Sequence, residues 1–423
     1  MTNTSDPSCN SSVIVIGAGA AGLTAAYDLK RHNKDMQVQI LEAHNENNNM
    51  FGGRIRKLSN FADFPIDLGA EWIHGNPNRI LKDIVDTKDE EINDKLRRIN
   101  TKQYQFAPFH EWRKRQGWVV TVSVEYEYLW KFVNSTWHDF FGEYIVSTLP
   151  QDAIHYGCVV KAIDYGADSN NNIVKVTCQD GRTFCANQVI CTVSLSVLQQ
   201  EKIQFHPPLP VKKQRAIANA TFEPGFKAFL EFSECFYHKN FNVHKKHKRS
   251  HGEMYFYDQS ALHSNKHQHV LAVFAYGDMA KTYVSMNDDD ILQTLLQELD
   301  EAYQGKATQY YIKGVVMNWS AEPHVGGNYS SFRRGMAPMF TLHQPLDSKV
   351  FFAGEHVPPG GSEYGFVHTA ALSGRAAAKA VVCVQEGKKQ PFPWRMWCIS
   401  NVLGTLCCGL EQWLFFRDLD YMD

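Results

Sequence analysis

Val13-Ile14-Val15-Ile16 is an unbroken β-branched run that ends in Gly17-Ala18-Gly19-Ala20-Ala21-Gly22, and Ala25, Ala26 and Leu29 then recur at helical spacing. A second apolar run, Val38-Gln39-Ile40-Leu41, ends in Glu42, twenty residues beyond Gly22. The pattern predicts strand, turn, helix and strand over about residues 12–42. Each glycine has a physical task. Gly17 permits the tight turn off the strand, Gly19 lets a pyrophosphate approach the backbone, and Gly22 lets helix and strand pack closely. The helix start presents unpaired N–H groups to phosphate charge, and an acid ending the second strand suits a ribose diol. In isolation the G-x-G-x-x-G turn leaves open a glycine-rich turn without a ligand. With its flanking strand, helix and acid it points to a dinucleotide site.

Further along, the polar stretch Asn45-Glu46-Asn47-Asn48-Asn49 precedes Gly52-Gly53-Arg54-Ile55. Pro65 to Gly75 reads as a short strand breaking at glycine. From Pro77 to Asn100 the spacing is helical, with Ile80, Leu81, Ile84 and Val85 on one side and Lys82, Asp83 and Asp86 on the other. Residues 117–147 are rich in aromatics and fit neither period clearly. Val159 to Ile163 and Ile173 to Thr177 alternate as strands, and Asp180-Gly181 predicts a hairpin into Thr183-Phe184-Cys185. Val189 to Val193 is a continuous buried strand. Pro207, Pro208 and Pro210 mark a crossing into another domain. There Phe226-Lys227-Ala228-Phe229-Leu230-Glu231-Phe232 is the clearest alternating strand. Leu292, Leu295, Leu296 and Leu299 predict a helix from about Asp288 to Tyr303. Val350 to Glu355 reads as a strand and Gly365 to Val384 as a helix of small residues.

Composition narrows the function classes. The chain of 423 residues suits two domains, and a formal net charge of -2 makes no electrostatic case for nucleic acid. None of the ten cysteines forms C-x-x-C. With a polar start from Met1 to Ser12, they read as reduced thiols in an intracellular, cytoplasmic protein. His238, His244, His247 and His251, with Lys245, Lys246, Lys248 and Arg249, lack metal-ligand spacing and read as a solvated loop, so no metal is expected. No internal repeat is present, and the sequence carries no signal for an oligomeric state.

Dinucleotide-fold pieces at both ends with another in mid-chain imply interleaved domains. Together with Leu68-Gly69-Ala70-Glu71-Trp72-Ile73-His74-Gly75, Asn318-Trp319-Ser320, Gly326-Gly327-Asn328-Tyr329, Phe352-Ala353-Gly354-Glu355-His356 and Gly365-Phe366-Val367-His368-Thr369-Ala370, they resemble the flavin-dependent amine oxidase family. That family includes monoamine oxidases, polyamine and spermine oxidases and the oxidase domain of histone lysine demethylases. The resemblance covers most of residues 13–384. It implies an α/β plus α+β protein in which a GR-type FAD-binding Rossmann-like domain is interleaved with a mixed-sheet substrate domain. Residues 12–76, 155–206 and 340–385 are assigned to the first, residues 77–154 and 207–339 to the second, and 391–423 to an apolar tail.

The resemblance also implies roles. FAD would meet Gly17, Gly19, Ala21, Gly22, Glu42, Gly53, Arg54, Gly69, Ala70, Glu71, Trp72, Val160, Trp319, Gly354, Glu355, Gly365, Phe366 and Val367. Arg54 would reach the pyrophosphate, although without the resemblance it reads as a surface arginine. Glu355 would bind the ribitol chain, or cap the turn after its strand. The helix start near Gly365 would aim its amides at the flavin N1/C2 edge, where reduction adds negative charge. Lys227 matches the strand lysine that holds a water at flavin N5, where burial would lower its pKa; by pattern alone it is equally a solvent-facing strand lysine. Tyr329 and Phe366 match the two aromatics that flank the amine, or pack in the core. Asn328 stands where monoamine oxidases tether flavin through cysteine, so FAD is expected to be non-covalent. Glu71 and His74 would line a cavity for a polycationic amine, with loop capping as the other role open to His74. The implied reaction moves a hydride equivalent from an amine to FAD, gives imine and then aldehyde, and reduces O₂ to H₂O₂. A polyamine is the expected substrate; a monoamine, an L-amino acid or flavin binding without turnover are the alternatives.

The chain departs from the family pattern in places. The Glu42 to Gly52 connection is long and lacks an extra arginine, residues 141–158 are short where substrate-domain helices usually stand, and Val357 and Thr369 replace a Thr and a Gly. Met396 to Phe416, mostly apolar between Arg395 and Arg417, reads either as a tail anchor to an intracellular membrane or as an amphipathic helix, with Glu411 costly in a span.

Overall fold

The computed structural model describes residues 12–45, 51–74, 76–85, 96–98, 119–122, 129–132, 134–166, 173–237, 242–246, 251–260, 268–331, 337–359 and 364–388. Ser12–Ile16 is the middle strand of a parallel sheet ordered Val350–Phe352, Gln188–Cys191, Ser12–Ile16, Gln37–Leu41 and Ile154–His155. It is buried along its whole length, which suits an unbroken β-branched run. Alternation divides its side chains between two layers. Val13 and Val15 join a core with Leu23, Ala26, Ala371, Ala378 and Val381, from the helices Ala20–His32 and Val367–Gln385. Ile14 and Ile16 face Val160, Ile163, Val174 and Val176 on the other side.

Those residues belong to a second sheet, ordered Thr183–Ala186, Val174–Cys178, Val160–Asp164 and Gln204–His206. The predicted hairpin is present, and Gly181 at its tip has φ +93°. Pairing here is mixed, since Val160–Asp164 runs parallel with Gln204–His206 and antiparallel with Val174–Cys178.

A six-stranded antiparallel sheet follows, ordered Tyr311–Asn318, Gly225–Phe232, His269–Tyr276, Met254–Asp258, Asn242–Lys246 and Val119–Val122. Gly225–Phe232 is buried at all eight positions, not only on the apolar side that its alternation suggested. The reason is cover on both faces. Phe226, Ala228, Leu230 and Phe232 pack with the helix Asp288–Tyr303, while Phe229 packs with Phe61, Phe64 and Ile66. Lys227 and Glu231 share the face of Phe229. That helix matches its prediction. The Asn287 side chain accepts from the Asp290 N–H, Gln304 closes it at φ +57°, and Ile291, Leu295, Leu296 and Leu299 are buried, each worth about 2 kcal/mol against exposure.

Some predicted elements are shorter or different, among them the loop read over His238 to His251, within which Asn242–Lys246 is a strand paired with Met254–Asp258. The helix from Pro77 ends at Ile84, after a start fixed by the Asn76 side chain accepting from Arg79 N–H and by Pro77 in the first turn. Leu96–Arg98, read as helical, is a strand paired antiparallel with Leu129–Phe132, which also pairs with Ile73–His74. Tertiary pairing overrides local spacing there. The strand at Val350 stops at Phe352, because the chain turns at Gly354, φ +147°. Residues 391–423 lie outside the described residues, as do His238, His247, Lys248 and Arg249. Among the described residues, no helix is long and apolar enough to cross a membrane, and no cluster of His, Cys, Asp and Glu could hold a metal ion.

Candidate active site

One cavity of about 1050 Å³ runs from the carboxyl ends of the parallel strands to the face of the antiparallel sheet that carries Lys227. Position at those strand ends is where open α/β sheets bind ligands. Of the residues expected to meet FAD, all but Gly22 line the cavity, as do Lys227, Tyr329 and His74. Gly22 lies behind the wall, where a Cβ would stand 1.9 Å from the Gly17 carbonyl oxygen. Its part is the close packing of turn on helix.

The donors fit FAD. Two of the helices that reach the cavity start at its wall without a side-chain cap: Gly19 precedes Ala20–His32, and Phe366 precedes Val367–Gln385. First-turn N–H groups have no partner inside a helix, so each start offers donors and partial positive charge to an anionic group. Gly52 N–H donates to Ala18 O at 2.7 Å and tucks the Gly52-Gly53-Arg54 loop against the first turn. Gly53 takes φ +56° there. The side-chain amide nitrogen of Asn328, also on the wall, is buried with no hydrogen-bond partner among the described residues. A polar ligand would satisfy it.

Arg54 connects the loop to the carboxyl side of the cavity. Its Nη1 donates to Asn328 O at 2.7 Å and to Glu355 Oε1 at 3.0 Å, and Ser330 donates to Glu355 from N–H and Oγ. Burial raises the Glu355 carboxyl, but Arg54, His356 and Ser330 outweigh it and hold it below the usual carboxylate range. Gly69 is forced by its surroundings, because a Cβ would lie 1.9 Å from Arg54 O. Trp319 Nε1 donates to Leu68 O at 3.0 Å and fixes the segment that carries Gly69 and Ala70.

At the far end, Glu42 Oε2 accepts from Ala18 N–H at 2.8 Å and Oε1 accepts from His44 N–H and ring Nδ1. A carboxylate has roughly four acceptor positions, so capacity for a hydroxyl is left. Arg56 donates to Glu322 at 2.8 Å, and both contact the His44 ring. Burial alone would lower His44, but hydrogen bonds to Glu322 and Glu42 outweigh it and raise the ring. Glu322 is held down at about 2, with burial overcome by His44 and Arg56. Arg56, His44 and Glu322 were not among the expected site residues. Their positions beside Arg54, Glu42 and Trp319 in the quoted motifs were the available signal.

At the inner end, Trp72, Tyr255, Phe274, Tyr276, Tyr329 and Phe366 form an aromatic wall. Tyr329 is backed by Tyr276 at 5.3 Å, and Phe366 by His74 at 4.5 Å between ring centroids. A side chain at Gly365 would meet the Tyr329 ring at 3.3 Å. Lys227 is buried and does not face solvent. It donates to Glu71 Oε2 at 2.7 Å and to Asp67 O at 3.0 Å, so its surroundings are ionic where an apolar pocket was expected. Glu71, expected along a substrate path, also accepts from Lys131 and from the Tyr257 hydroxyl. Burial raises its carboxyl, but Lys131 and Lys227 outweigh that and hold it well below the usual range. Nothing in the sequence around Lys131, Asp67 or Tyr257 marked them for this cluster.

Such a cavity, with dinucleotide donors at one end and aromatics around a lysine at the other, defines a flavin-dependent oxidoreductase fold. The chain matches the family model for flavin containing amine oxidoreductases over residues 141–382 and that for NAD(P)-binding Rossmann-like domains over residues 15–87. It belongs to the flavin-containing amine oxidoreductase family, whose cofactor is FAD. Among similar proteins, lysine-specific histone demethylase 2 of Homo sapiens is 25% identical over 82% of this chain, and the match spans 50% of the demethylase. The chain thus covers about half the length of that relative. Polyamine oxidase 2 of Arabidopsis thaliana is 24% identical over 87% of both chains. Peroxisomal N(1)-acetyl-spermine/spermidine oxidase of Bos taurus is 24% identical over 89% of this chain and 96% of its own.

Proposed function

We propose that this protein oxidises a polyamine with bound, non-covalent FAD, releasing an imine that hydrolyses to an aldehyde, with O₂ as electron acceptor and H₂O₂ as co-product. The observation that carries the reading is the convergence of Lys227, His74, Tyr329 and Phe366 on the aromatic end of a cavity whose other end fits a dinucleotide. Relatives named as polyamine oxidases that match along nearly their whole length support the substrate class. FAD supplies the electron chemistry when bound. Gly17, Gly19, Gly53, Arg54, Glu42 and Glu355 would hold its nucleotide and ribitol parts. Asn328 has no thiol with which to tether it. Tyr329 and Phe366 would confine the amine nitrogen between aromatic faces, which attract a cation and shut out water. Because Glu71 is engaged by two lysines, the register of a long amine would come from these rings and from His74.

The domain division at residues 76, 154, 206 and 339, the cytoplasmic location and a membrane role for residues 396–416 belong to the same proposal. Adding spermine or N-acetylspermine to the yellow protein without oxygen tests the activity. Bleaching of the oxidised flavin band by polyamines is expected. Bleaching only by aryl-alkyl amines or L-amino acids would replace the substrate class, and no bleaching by any amine would leave a flavin-binding protein without turnover.

A further inference from the structure

Two lysines share one carboxylate in the inner wall of the cavity. Lys131, on the strand Leu129–Phe132, donates to Glu71 Oε1 from behind the wall, and Lys227 donates to Oε2 at 2.7 Å from the cavity face. Tyr257 donates its hydroxyl to Oε2 at 2.6 Å. The side chains of Lys131, Lys227 and Glu71 are 4%, 3% and 1% exposed. A buried carboxylate is offset by one ammonium, so the second is surplus. Asp67, which accepts from Trp137 N–H at 3.2 Å, does not offset it. Among the described residues its carboxylate makes no ion pair with either lysine, Lys227 meeting only the Asp67 backbone carbonyl. Burial, and then the adjacent Glu71 charge, push the Asp67 carboxyl well above the usual range and disfavour its charged form. The Tyr257 phenol is pushed up for the same reasons.

Packing alone gives no cause for this arrangement. Each buried charge carries a desolvation cost, and apolar groups of similar volume commonly stabilise as well or better. We propose that Lys131 is a positioning residue for the flavin: it holds Glu71 by one oxygen, so that the other fixes Lys227 at the cavity wall, and it gives this wall a surplus positive charge that favours the reduced cofactor. The inference rests on the FAD reading of the cavity and not on the identity of the amine. A fixed charge in a site walled from water acts strongly on a group whose reduction adds negative charge.

The test is the midpoint potential of the bound flavin in the purified holoprotein, measured by slow enzymatic reduction against a reference dye. Lys131→Met is expected to lower the potential, and Lys131→Arg to keep it near that of the parent. Glu71→Gln, which removes the opposing charge, is expected to raise it. Damage to the fold would move Lys131→Met and Glu71→Gln in the same direction. A common direction, or a Lys131→Met potential equal to the parent's, overturns the proposal. If Lys131→Met yields no holoprotein, Glu71→Gln decides the matter: a raised potential supports the proposal and an unchanged or lowered one overturns it. Absence of FAD from the parent protein would refute the flavin reading itself, a separate failure seen in the spectrum before any variant is made.

Discussion

Lys213 has a pH dependence that can be worked from its surroundings. It lies on the helix Val211–Asn219 and is 2% exposed. Its ammonium donates to the carbonyls of Thr341 and Leu342 at 3.0 and 2.8 Å and sits 4.2 Å from the centroid of the Phe352 ring. Among the described residues no carboxylate pairs with it. Burial therefore dominates and lowers its pKa from 10.5 to about 7, opposed only weakly by Cys191. Between pH 7 and 10.5 the unfolded chain keeps a proton that the folded chain has released, so stability rises with pH there. The slope is about 1.4 kcal/mol per pH unit, which gives roughly 3 kcal/mol between pH 7.5 and 9.5. In the opposite direction, stability is lost as pH falls from the unfolded value towards 7, and below about 7 this residue adds no further change.

Lys213→Met isolates that contribution. The variant removes the Lys213 donor from the Leu342 carbonyl and from the Thr341 carbonyl, which keeps the Gln344 N–H at 3.2 Å, a pH-independent loss of about 1–3 kcal/mol each at most. The informative quantity is thus how the stability difference between parent and variant changes with pH. His343 and His356 feel the Lys213 charge but are both lowered, chiefly by burial, His356 to about 4, and Cys191 is raised to about 12 by burial, so none of them titrates near pH 7.5–9.5. Urea unfolding followed by tryptophan fluorescence at pH 7.5 and 9.5, with FAD in excess, should show the parent gaining on the variant by roughly 3 kcal/mol as pH rises. Parallel pH profiles for the two proteins would refute the reasoning.

Two further outcomes follow from the nucleotide fold. Gly374→Ala places a Cβ 1.9 Å from the Ala21 carbonyl oxygen where the helices Ala20–His32 and Val367–Gln385 cross, so the backbones must separate. A loss of about 1–3 kcal/mol is expected, seen as a lowered melting temperature of the holoprotein; an unchanged melt would mean that the contact is looser than described. Glu42→Gln removes the charge that accepts from Ala18 N–H and His44. FAD affinity, measured by fluorescence recovery on dilution, should weaken about 10- to 100-fold, the loss expected for a charge-assisted hydrogen bond network of this kind.

Features set by the backbone were legible in the sequence. Gly17 and Gly22 are required by a turn and a contact within one βαβ unit, and the leucines of Asp288–Tyr303 declare their face through a local period. The convergence of Lys227, Tyr329 and Phe366 became legible only through resemblance, since each reads as an ordinary core or surface position. Other features depend on partners far along the chain. Leu96–Arg98 is a strand because Leu129–Phe132 lies beside it, and its own spacing says helix. Gly225–Phe232 is covered on both faces, which alternation alone cannot announce. Glu71 was legible as a cavity residue, yet its electrostatic state depends on Lys131, 60 residues away, and on Tyr257, 186 residues away.

That dependence changes how the cavity is understood. Along Gly225–Phe232 the even positions make an apolar core with the Asp288–Tyr303 helix, so the odd positions were free to be polar only if the facing segment supplied partners. Residues 66–74 do so at Lys227 through the Asp67 carbonyl and Glu71, and the same segment carries Gly69, whose bare backbone lets Arg54 approach. One short stretch of chain therefore fixes both the arginine at the nucleotide end and the lysine at the aromatic end. A shift in that stretch would move both ends together. On the proposed reading of the cavity, flavin binding and the electrostatics of the wall at Lys227 would be set by a common piece of backbone.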